Sequence, residues 1–224
     1  MKIIIISTLT ILLLISCNKE PKFEYKYDNN DDLFKCSSVD MELIKEAVYA
    51  FEEYLKEYYI FQGPKSVHNG LNNYWKISIT NRLPAIEYIN PHIIKLRDIL
   101  KNETSLWITK NDKTILNFNH PIMDCISKNL IDSELKNLFD FLRNSNTFSS
   151  EVFLASLKWA DKRIKDDKAF ETYLVLDTFY ARILNVDFNN LEESIKTNRK
   201  NIAKKKLREE GSEKIIKNNL ELFK

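Results

Sequence analysis

The chain has 224 residues, of which 44% are apolar and 12% aromatic, and its formal net charge is only +2. This apolar content suffices for a sizeable core and excludes a disordered chain, while a charge so near zero argues against a nucleic-acid-binding protein, which typically has a basic face. The sequence contains only 3 Gly and 5 Pro, too few for the many turns of a β-sandwich or barrel, so it predicts an all-α fold.

The N-terminal end of the chain is typical of a secretion signal. Lys2 supplies a positive charge, and an almost continuous apolar run follows over residues 3–15. As a helix rising about 1.5 Å per residue, this run would span roughly 20 Å, too short for a hydrocarbon core of about 30 Å but normal for a signal peptide. It ends in Leu14-Ile15-Ser16-Cys17. This motif resembles the lipobox of bacterial lipoproteins.

The resemblance implies that residues 1–16 are a cleaved signal peptide and that Cys17 becomes the first mature residue, carrying a thioether-linked diacylglycerol. The freed amine is often acylated too, and two or three chains make attachment effectively permanent, since each buried CH₂ contributes about 0.8 kcal/mol. Asn18 is not the Asp that favours inner-membrane retention in such proteins, so we expect the outer membrane, on its periplasmic or surface side. The alternative is an uncleaved anchor or a chance apolar run before a lone Cys.

Residues 17–33 are predicted to be a lipidated tether between the membrane and a folded domain. The stretch is polar, and residues 28–32 (Asp-Asn-Asn-Asp-Asp) are unsuited to a core. A tether of this kind would let the domain stand off the membrane. Phe23, Tyr25 and Tyr27 alternate with charged residues, so a short strand is an alternative for this part of the tether.

Apolar residues at three- and four-residue spacing predict helices along the rest of the chain. The first helix begins after Asp40 as its cap, places Phe51 and Tyr54 on its apolar face, and ends at Gly63-Pro64. In a later helix, Leu174 and Phe179 are predicted to be buried. The further helices are predicted at about 65–89, from Pro91 to Leu100, from Pro121 to Leu130, and at 133–142, 151–165 (capped by Ser150), 168–184 and 190–222.

One β-hairpin interrupts the helices, with predicted strands at 106–109 and 114–118 around Lys110-Asn111-Asp112-Lys113. The prediction is therefore an all-α, multi-helix single domain over residues 34–224, with at most one small hairpin near 106–118. A helical-repeat arrangement stays open, because helix pairs of roughly 30 to 40 residues are compatible with one, although no position recurs with identity.

The predicted C-terminal helix, from about residue 190, is basic. Residues 196–224 contain 10 basic and 4 acidic side chains, a net charge of +6, whereas residues 17–195 contain 23 basic and 28 acidic side chains, a net charge of −5. Its apolar residues are sparse, so we expect it to present charge to an acidic partner or to anionic headgroups. The predicted contact residues are Lys204, Lys205, Lys206 and Arg208. A solvated helix end is the alternative.

No motif for catalysis or for a cofactor is found in the sequence. His68, His92 and His120 do not lie at metal-ligand spacing from one another or from Cys, so no metal site is predicted. There is no Gly-x-Ser-x-Gly motif, and 3 Gly cannot form a phosphate-binding loop. Helix capping or surface polarity explains the histidines best. Pairing of Cys125 with His120 as nucleophile and base is disfavoured, because their i, i+5 spacing puts them on different helix faces.

Two cysteines remain besides Cys17, namely Cys36 and Cys125. Outside the cytoplasm they could oxidise to a disulfide, closing a loop of about 90 residues that contributes on the order of 4 kcal/mol on a chain-entropy estimate. Two buried thiols are the alternative, and the sequence slightly favours it.

These observations predict a membrane-anchored lipoprotein of the cell envelope that acts as a non-catalytic binding or structural protein. The predicted partners are the lipid bilayer, through acylated Cys17, and a protein of unknown identity; no nucleic acid and no cofactor are predicted. One alternative is an immunity- or inhibitor-type lipoprotein that neutralises a toxin in the envelope. A second is an envelope hydrolase without a recognisable motif.

Overall fold

The computed structural model describes residues 23–60, 63–80, 82–83, 86, 89–157 and 166–187. This part of the chain forms seven helices and a single two-stranded antiparallel hairpin, which confirms the predicted all-α class and its hairpin. None of these helices has the length and apolar character that crossing a bilayer requires. The predicted signal peptide, Cys17 and the predicted basic C-terminal helix lie outside the described residues.

A polar side chain caps the start of each described helix. The helices are α1 (Met41–Tyr58), α2 (Val67–Ser78), α3 (Pro91–Asn102), α4 (Pro121–Asn129), α5 (Ser133–Asn144), α6 (Ser150–Ser156) and α7, which is α-helical over Lys168–Leu174, π-helical over Val175–Tyr180 and α-helical again over Ala181–Ile183. The N-terminal caps, each accepting from a backbone N–H of the first turn, are Asp40, Ser66, Asn90, His120, Asp132, Ser149 and Asp167. The caps predicted at Asp40 and the first-turn prolines at 91 and 121 are thereby confirmed.

Three predicted helices end earlier in the structure than the sequence indicates. The first, predicted to end at Gly63-Pro64, ends at Tyr58, and the helix predicted at 151–165 ends at Ser156. The helix predicted to run to residue 89 ends at Ser78, because Ser78 and Thr80 turn their hydroxyls back to carbonyl oxygens one turn earlier and Pro84 follows. The cap predicted at Ser150 is Ser149 instead. Ser150 uses its hydroxyl to bind a buried carboxylate, that of Asp177 (2.8 Å).

The hairpin joins the end of α3 to the end of α7. Its strands, β1 (Trp107–Lys110) and β2 (Lys113–Leu116), meet at Asn111 and Asp112, whose positive φ angles of 51° and 59° suit the mirror-image turns of two-residue hairpins. Trp107 donates from Nε1 to the carbonyl oxygen of Leu100 at 2.6 Å. Asn185, just after α7, bonds to the backbone of β2. The hairpin is thus a fixed part of the fold.

The core lies where α1 meets α2 and α7. The predicted burial of Phe51, Tyr54, Leu174 and Phe179 is confirmed, since each is at most 7% exposed. The Phe51 ring has its centroid 4.9 Å from those of Tyr74 on α2 and Phe179 on α7. Aromatic rings at such distances add packing energy beyond the area that they bury.

The close approach of α1 and α2 depends on Gly70. A Cβ atom at this position would lie 2.8 Å from Cβ of Leu55 and 3.0 Å from its carbonyl oxygen, which is closer than packed atoms tolerate. The small residue therefore lets the backbones of the two helices touch, although glycine within a helix costs about 1 kcal/mol relative to alanine.

Cys36 and Cys125 are joined by a disulfide, with their Cα atoms 5.6 Å apart. Of the two states that the sequence left open, the structure has the bond rather than two thiols. It connects the segment before α1 to α4 across 89 positions of sequence. Because the sulfur of Cys125 is used in this bond, it is not the nucleophile of a pair with His120.

Residues 23–33, which were predicted to belong to the tether, lie against α1 and α3. Phe23, Tyr25 and Tyr27 are half-buried while the residues between them are exposed, so their alternation in the sequence is one of burial and not of strand pairing. The polar run at 28–32 is exposed, as its composition predicts. The aromatic side chains of Phe23, Tyr25 and Tyr27 pack on the domain, so this part of the predicted tether belongs to the fold. Only residues 17–22 of the predicted tether precede it.

Candidate functional site

A buried carboxylate on α1 holds the segment that precedes the helix. Glu46 is 1% exposed and accepts hydrogen bonds from the backbone N–H groups of Lys26 (2.9 Å) and Tyr27 (3.0 Å). His92, in the first turn of α3, donates from Nε2 to the same carboxylate at 2.5 Å. Three donors therefore compensate for the desolvation of one buried charge, and they fix two parts of the chain to α1.

The neighbouring side chains of α1 bind the next residues of the segment. Lys45 donates from Nζ to the carbonyl oxygens of Asp28 and Asn30, both at 2.9 Å. Tyr49 donates from its hydroxyl to the carbonyl oxygen of Asp31 at 2.9 Å. Backbone groups of an exposed loop thus gain partners on a rigid helix. We call Lys45, Glu46, Tyr49 and His92 the clasp.

His92 is enclosed by aromatic rings. The Phe23 ring stacks on it with centroids 5.3 Å apart, and Tyr27 meets it edge-on at 6.2 Å. A histidine bound to a carboxylate also occurs in catalytic triads, where the imidazole contacts a nucleophile. Among the described residues, no Ser hydroxyl or Cys thiol lies within hydrogen-bond distance of His92. The pair with Glu46 joins the first turn of α3 to α1.

An open groove of about 740 Å³ lies between the folded N-terminal segment and the beginning of α1. This size is within the range of about 300–1,000 Å³ that ligand sites occupy. The groove is lined by Tyr25, Asp28, Asp32, Leu33, Phe34, Lys35, Cys36, Ser37, Met41, Glu42 and Lys45. None of the three histidines is among these residues. The clasp and the disulfide hold the walls of the groove in place. Lys45 lines the groove and belongs to the clasp, and Cys36 lines the groove and forms the disulfide.

The groove has an apolar wall and an acidic rim. Leu33 is buried and Phe34 and Met41 are half-buried, so apolar surface is offered to an occupant. Asp28, Asp32 and Glu42 are exposed at the rim.

Two lysines also line the groove, but one of them already binds groups of this protein. Lys45 holds the loop through its carbonyl oxygens and forms an ion pair with Asp32 at 3.3 Å. Lys35 is exposed. The rim therefore has more negative than positive charge facing solvent, which favours an occupant carrying basic groups.

Comparison with protein-family models, with curated proteins and with solved structures found no match to this chain. Function is therefore inferred from the chain's own residues. The lipidation site proposed at Cys17 and the predicted contact residues Lys204, Lys205, Lys206 and Arg208 lie outside the described residues.

The three histidines lie in different places and make different contacts. His92 belongs to the clasp, while His120 caps α4 by accepting at Nδ1 from the N–H of Ile122 (3.2 Å). Burial lowers the pKa of His120. His68 is half-buried in the first turn of α2. Over the described ranges, no group of three potential metal-binding side chains occurs.

A second group of charged residues connects α1 to α7. Lys168 donates from Nζ to Glu52 and to Glu171 (2.9 Å), and its ammonium group lies 5.2 Å from the ring centroid of Tyr49. Both carboxylates are buried, and Oε1 of Glu171 has no hydrogen-bond partner among the described residues. Burial raises the pKa of Glu171 to about 7; Lys168 lowers it and Glu52 raises it further. We call Glu52, Lys168 and Glu171 the ionic cluster.

Another buried carboxylate lies in the π-helical part of α7. Asp177 accepts from the hydroxyls of Ser150 and Tyr173, both at 2.8 Å. Burial raises its pKa to about 6, and the two hydroxyls act in the opposite direction. The next residue, Thr178, bonds to the hydroxyl of Tyr74 at 2.9 Å. These bonds tie α7 to α6 and α2, so the group serves packing and does not open into the groove.

Sequence reasoning missed the clasp, the ionic cluster and Asp177. A signal for two of them was present, because Glu46 shares a helix face with Leu43 and Ala50, and Asp177 interrupts an apolar run. Acids at such positions are buried and need partners. The partners themselves are distant in sequence, as His92 and Lys168 show, and spacing alone does not identify them.

The ionic cluster predicts an unusual pH dependence. The pKa of Glu171 rises from its ordinary 4.5 to about 7 in the fold. Between these values the folded chain keeps a proton that the unfolded chain has released, so this group's contribution to the free energy of unfolding falls as the pH rises. One pH unit corresponds to about 1.4 kcal/mol. The free energy of unfolding of Glu171→Gln, measured relative to that of wild type, should therefore rise by on the order of 2–3 kcal/mol between pH 5 and pH 7.5.

Urea unfolding of the mature chain from residue 18, at both pH values, checks this expectation. Asp177→Asn is the matched control at a second buried acid. Its gain in free energy of unfolding relative to wild type should develop at lower pH values, because the pKa of Asp177 is about 6. A Glu171→Gln variant whose stability parallels wild type at the two pH values would contradict the assignment.

Proposed function

We propose that this chain is a lipid-anchored protein of the bacterial cell envelope, and that its helical domain is a non-catalytic binding module. Cys17 of the lipobox supplies the anchor, and Asn18 favours the outer membrane. The disulfide between Cys36 and Cys125 supports this location, since disulfides persist mainly outside the cytoplasm. The observation that carries the binding function is the groove, with its apolar wall and acidic rim.

The occupant that fits the groove best is a segment of a partner protein, presenting an apolar side chain flanked by Lys or Arg. Leu33, Phe34 and Met41 would receive the apolar group. Asp28 and Glu42 at the rim would receive the basic groups. Rim charges of this kind chiefly raise the association rate and set specificity, while the apolar contact contributes most of the affinity.

Binding is favoured over hydrolysis by the placement of the titratable groups. The carboxylates whose pKa values are raised, Glu171 and Asp177, are buried between helices and do not line the groove. The acids that do line the groove, Asp28, Asp32 and Glu42, are exposed at its rim, and no histidine is among the lining residues. Such a surface can attract and hold a partner through its charges, whereas no histidine that would activate the Ser37 hydroxyl is among the lining residues.

The anchor is tested by metabolic labelling with a radioactive fatty acid. Wild type should incorporate label and run as a processed protein. Cys17→Ser should leave an unlabelled and unprocessed precursor, because both diacylglycerol transfer and cleavage depend on the thiol. Label that persists in Cys17→Ser would contradict lipidation at this residue.

The groove is tested with a fluorescent peptide that carries Leu and Phe between lysines, measured by anisotropy at low and at physiological salt. Glu42→Gln should weaken binding several-fold and reduce its salt dependence, since an exposed charge is lost. Met41→Asp should weaken it by removing apolar surface. Glu57→Gln is the matched control, because Glu57 is an exposed acid on the same helix but outside the groove.

Two outcomes would overturn the proposal. Equal affinity in Glu42→Gln, Met41→Asp and wild type would show that the groove is not the binding surface. If deleting residues 196–224 raises the affinity for the peptide, the basic segment of this chain itself competes for the groove, and the assignment to a partner protein is wrong.

A further inference from the structure

The chain between the proposed anchor and the folded domain is short. Only residues 18–22 separate Cys17 from Phe23, the first residue seen to contact the domain. An extended chain covers at most about 3.3–3.6 Å per residue, so the two Cα atoms lie no more than roughly 22 Å apart. This upper bound holds for any conformation of residues 18–22.

Because the clasp fixes the segment around Phe23 to α1 and α3, the limit on the distance from Cys17 to Phe23 also limits how far the domain can lie from the anchor. Phe23 stacks on His92, and the backbone of Lys26 and Tyr27 is bound by the buried carboxylate of Glu46. Releasing the segment would break two hydrogen bonds to the carboxylate of Glu46 and would expose the apolar surface that Phe23 and Tyr27 cover, and both changes cost free energy. The segment therefore stays closed on α1 and α3. Without the clasp, the chain would be free as far as Leu33, and the bound would rise to roughly 58 Å.

We infer that the anchored domain lies against the bilayer on the face around Phe23 and His92, with the clasp acting as the device that holds it there. This inference rests on the proposed lipidation of Cys17. The partner of this face is the headgroup layer of the membrane that carries the anchor. The groove adjoins this face, because Tyr25 lines the groove and its ring meets the Phe23 ring with centroids 5.1 Å apart.

The charges next to this face suit a headgroup layer. Residues 18–26 contain three lysines (Lys19, Lys22 and Lys26) and two glutamates (Glu20 and Glu24). The net charge of this stretch is +1, and basic residues close to an anionic bilayer are attracted to it. Glu24, Lys26 and Lys95, on the clasped segment and on α3, are exposed.

The test is energy transfer from a donor at Lys95, installed by amber suppression in the full lipidated chain. The acceptor is a headgroup-labelled lipid in vesicles of phosphatidylethanolamine and phosphatidylglycerol. Lys95 is one turn from His92 on α3, and its distance from the anchor is set by the clasp. A 16-residue Gly-Ser spacer after Asn18 adds a root-mean-square reach of about 20–24 Å, so transfer should fall by the amount that such a displacement predicts.

Two variants test the clasp itself. Glu46→Gln should lower transfer, because a neutral amide binds the two N–H groups more weakly than a carboxylate. Phe23→Ser combined with Tyr27→Ser removes the two rings that pack on His92 and leaves the buried carboxylate intact, so this variant should also lower transfer and serves if Glu46→Gln fails to fold. Glu57→Gln, on the same helix outside the clasp, is the control and should leave transfer unchanged.

The results separate the two claims. A chain that does not float with the vesicles in a density gradient is not lipid-anchored, and both the proposed anchor and this inference fall. If the chain floats but energy transfer is the same in wild type, in the spacer variant and in the clasp variants, the proposed anchor stands and this inference is overturned. Lower transfer in the spacer and clasp variants, with Glu57→Gln equal to wild type, supports it.

Discussion

Replacing Phe51 by Ala is expected to lower the free energy of unfolding by about 3–5 kcal/mol, as large-to-small changes in a core do. The ring is fully buried on α1 and contacts Tyr74 and Phe179 at centroid distances of 4.9 Å. The three rings belong to three different helices, so the cavity would lie at the point where α1, α2 and α7 meet. The surrounding backbone is held there by the close approach at Gly70, which limits collapse into the space.

Urea unfolding of the mature chain from residue 18 measures this loss. Tyr58→Ala is the matched control, since Tyr58 lies on the same helix, is aromatic and is 38% exposed; its loss should be clearly smaller. A loss of the same size in both variants would mean that the face of α1 carrying Phe51 is not the one that the core depends on. The expected loss for Phe51→Ala approaches the total stability of many domains, about 5–15 kcal/mol.

The elements that the sequence predicts well are those whose causes are local. Asp40, Pro91 and Pro121 set helix starts by capping or by a preset φ, and each acts within one turn of its own position. The existence of the hairpin has a local cause too, because Asn111 and Asp112 tolerate the positive φ that a two-residue turn requires. Its connection is shorter than predicted, since Lys110 and Lys113 pair in the structure and do not belong to the turn. The error in α2, predicted to run on to residue 89, arises where apolar spacing continues after the helical backbone has stopped.

The features that the sequence does not predict are those that depend on distant partners. Glu46 and His92 are 46 positions apart, and Glu52 and Lys168 are 116 apart. Helical periodicity places each residue on a face, but it does not say which face of another helix it will meet. The disulfide is a similar case, because two cysteines in a sequence are compatible with both a bond and two thiols.

The folded segment at 23–33 shows how a local pattern can be seen and still be misassigned. Its alternating aromatic residues were visible in the sequence, and alternation normally indicates a strand with one buried face. Here the partner surface is the side of α1 and α3, and the backbone bonds go to Glu46, Lys45 and Tyr49 instead of a neighbouring strand. The candidate groove exists only because this segment is folded, so it too was beyond the reach of sequence pattern.

Tyr49 links the two charged features of α1. Its hydroxyl binds the N-terminal segment at Asp31, and its ring lies under the ammonium group of Lys168 at 5.2 Å. The Tyr27 ring packs beside it with centroids 5.9 Å apart. The clasp and the ionic cluster therefore share a side chain, and disturbance of the cluster is expected to reach the segment that leads to the anchor.

Replacing Lys168 by Met is accordingly expected to lower the free energy of unfolding by about 3 kcal/mol at pH 8. The change leaves the carboxylates of Glu52 and Glu171 buried without their cation, and breaking a buried ion pair from one side costs about 3–5 kcal/mol. The lower end of this range applies because a third of the Lys168 side chain is exposed to solvent. Met keeps the length and apolar character of the stem, so the loss reports on charge more than on packing.

The pH dependence of this loss separates charge from shape. The carboxyl of Glu171, whose pKa is already raised to about 7 in the presence of Lys168, takes up a proton more readily once the cation is gone. At pH 5 the uncompensated charge of Glu171 is therefore largely neutralised, and the loss in Lys168→Met should be clearly smaller than at pH 8. The double variant Lys168→Met with Glu171→Gln should recover part of the loss at pH 8. A loss that is equal at both pH values, with no recovery in the double variant, would mean that Lys168 stabilises the domain through packing and not through the buried carboxylates.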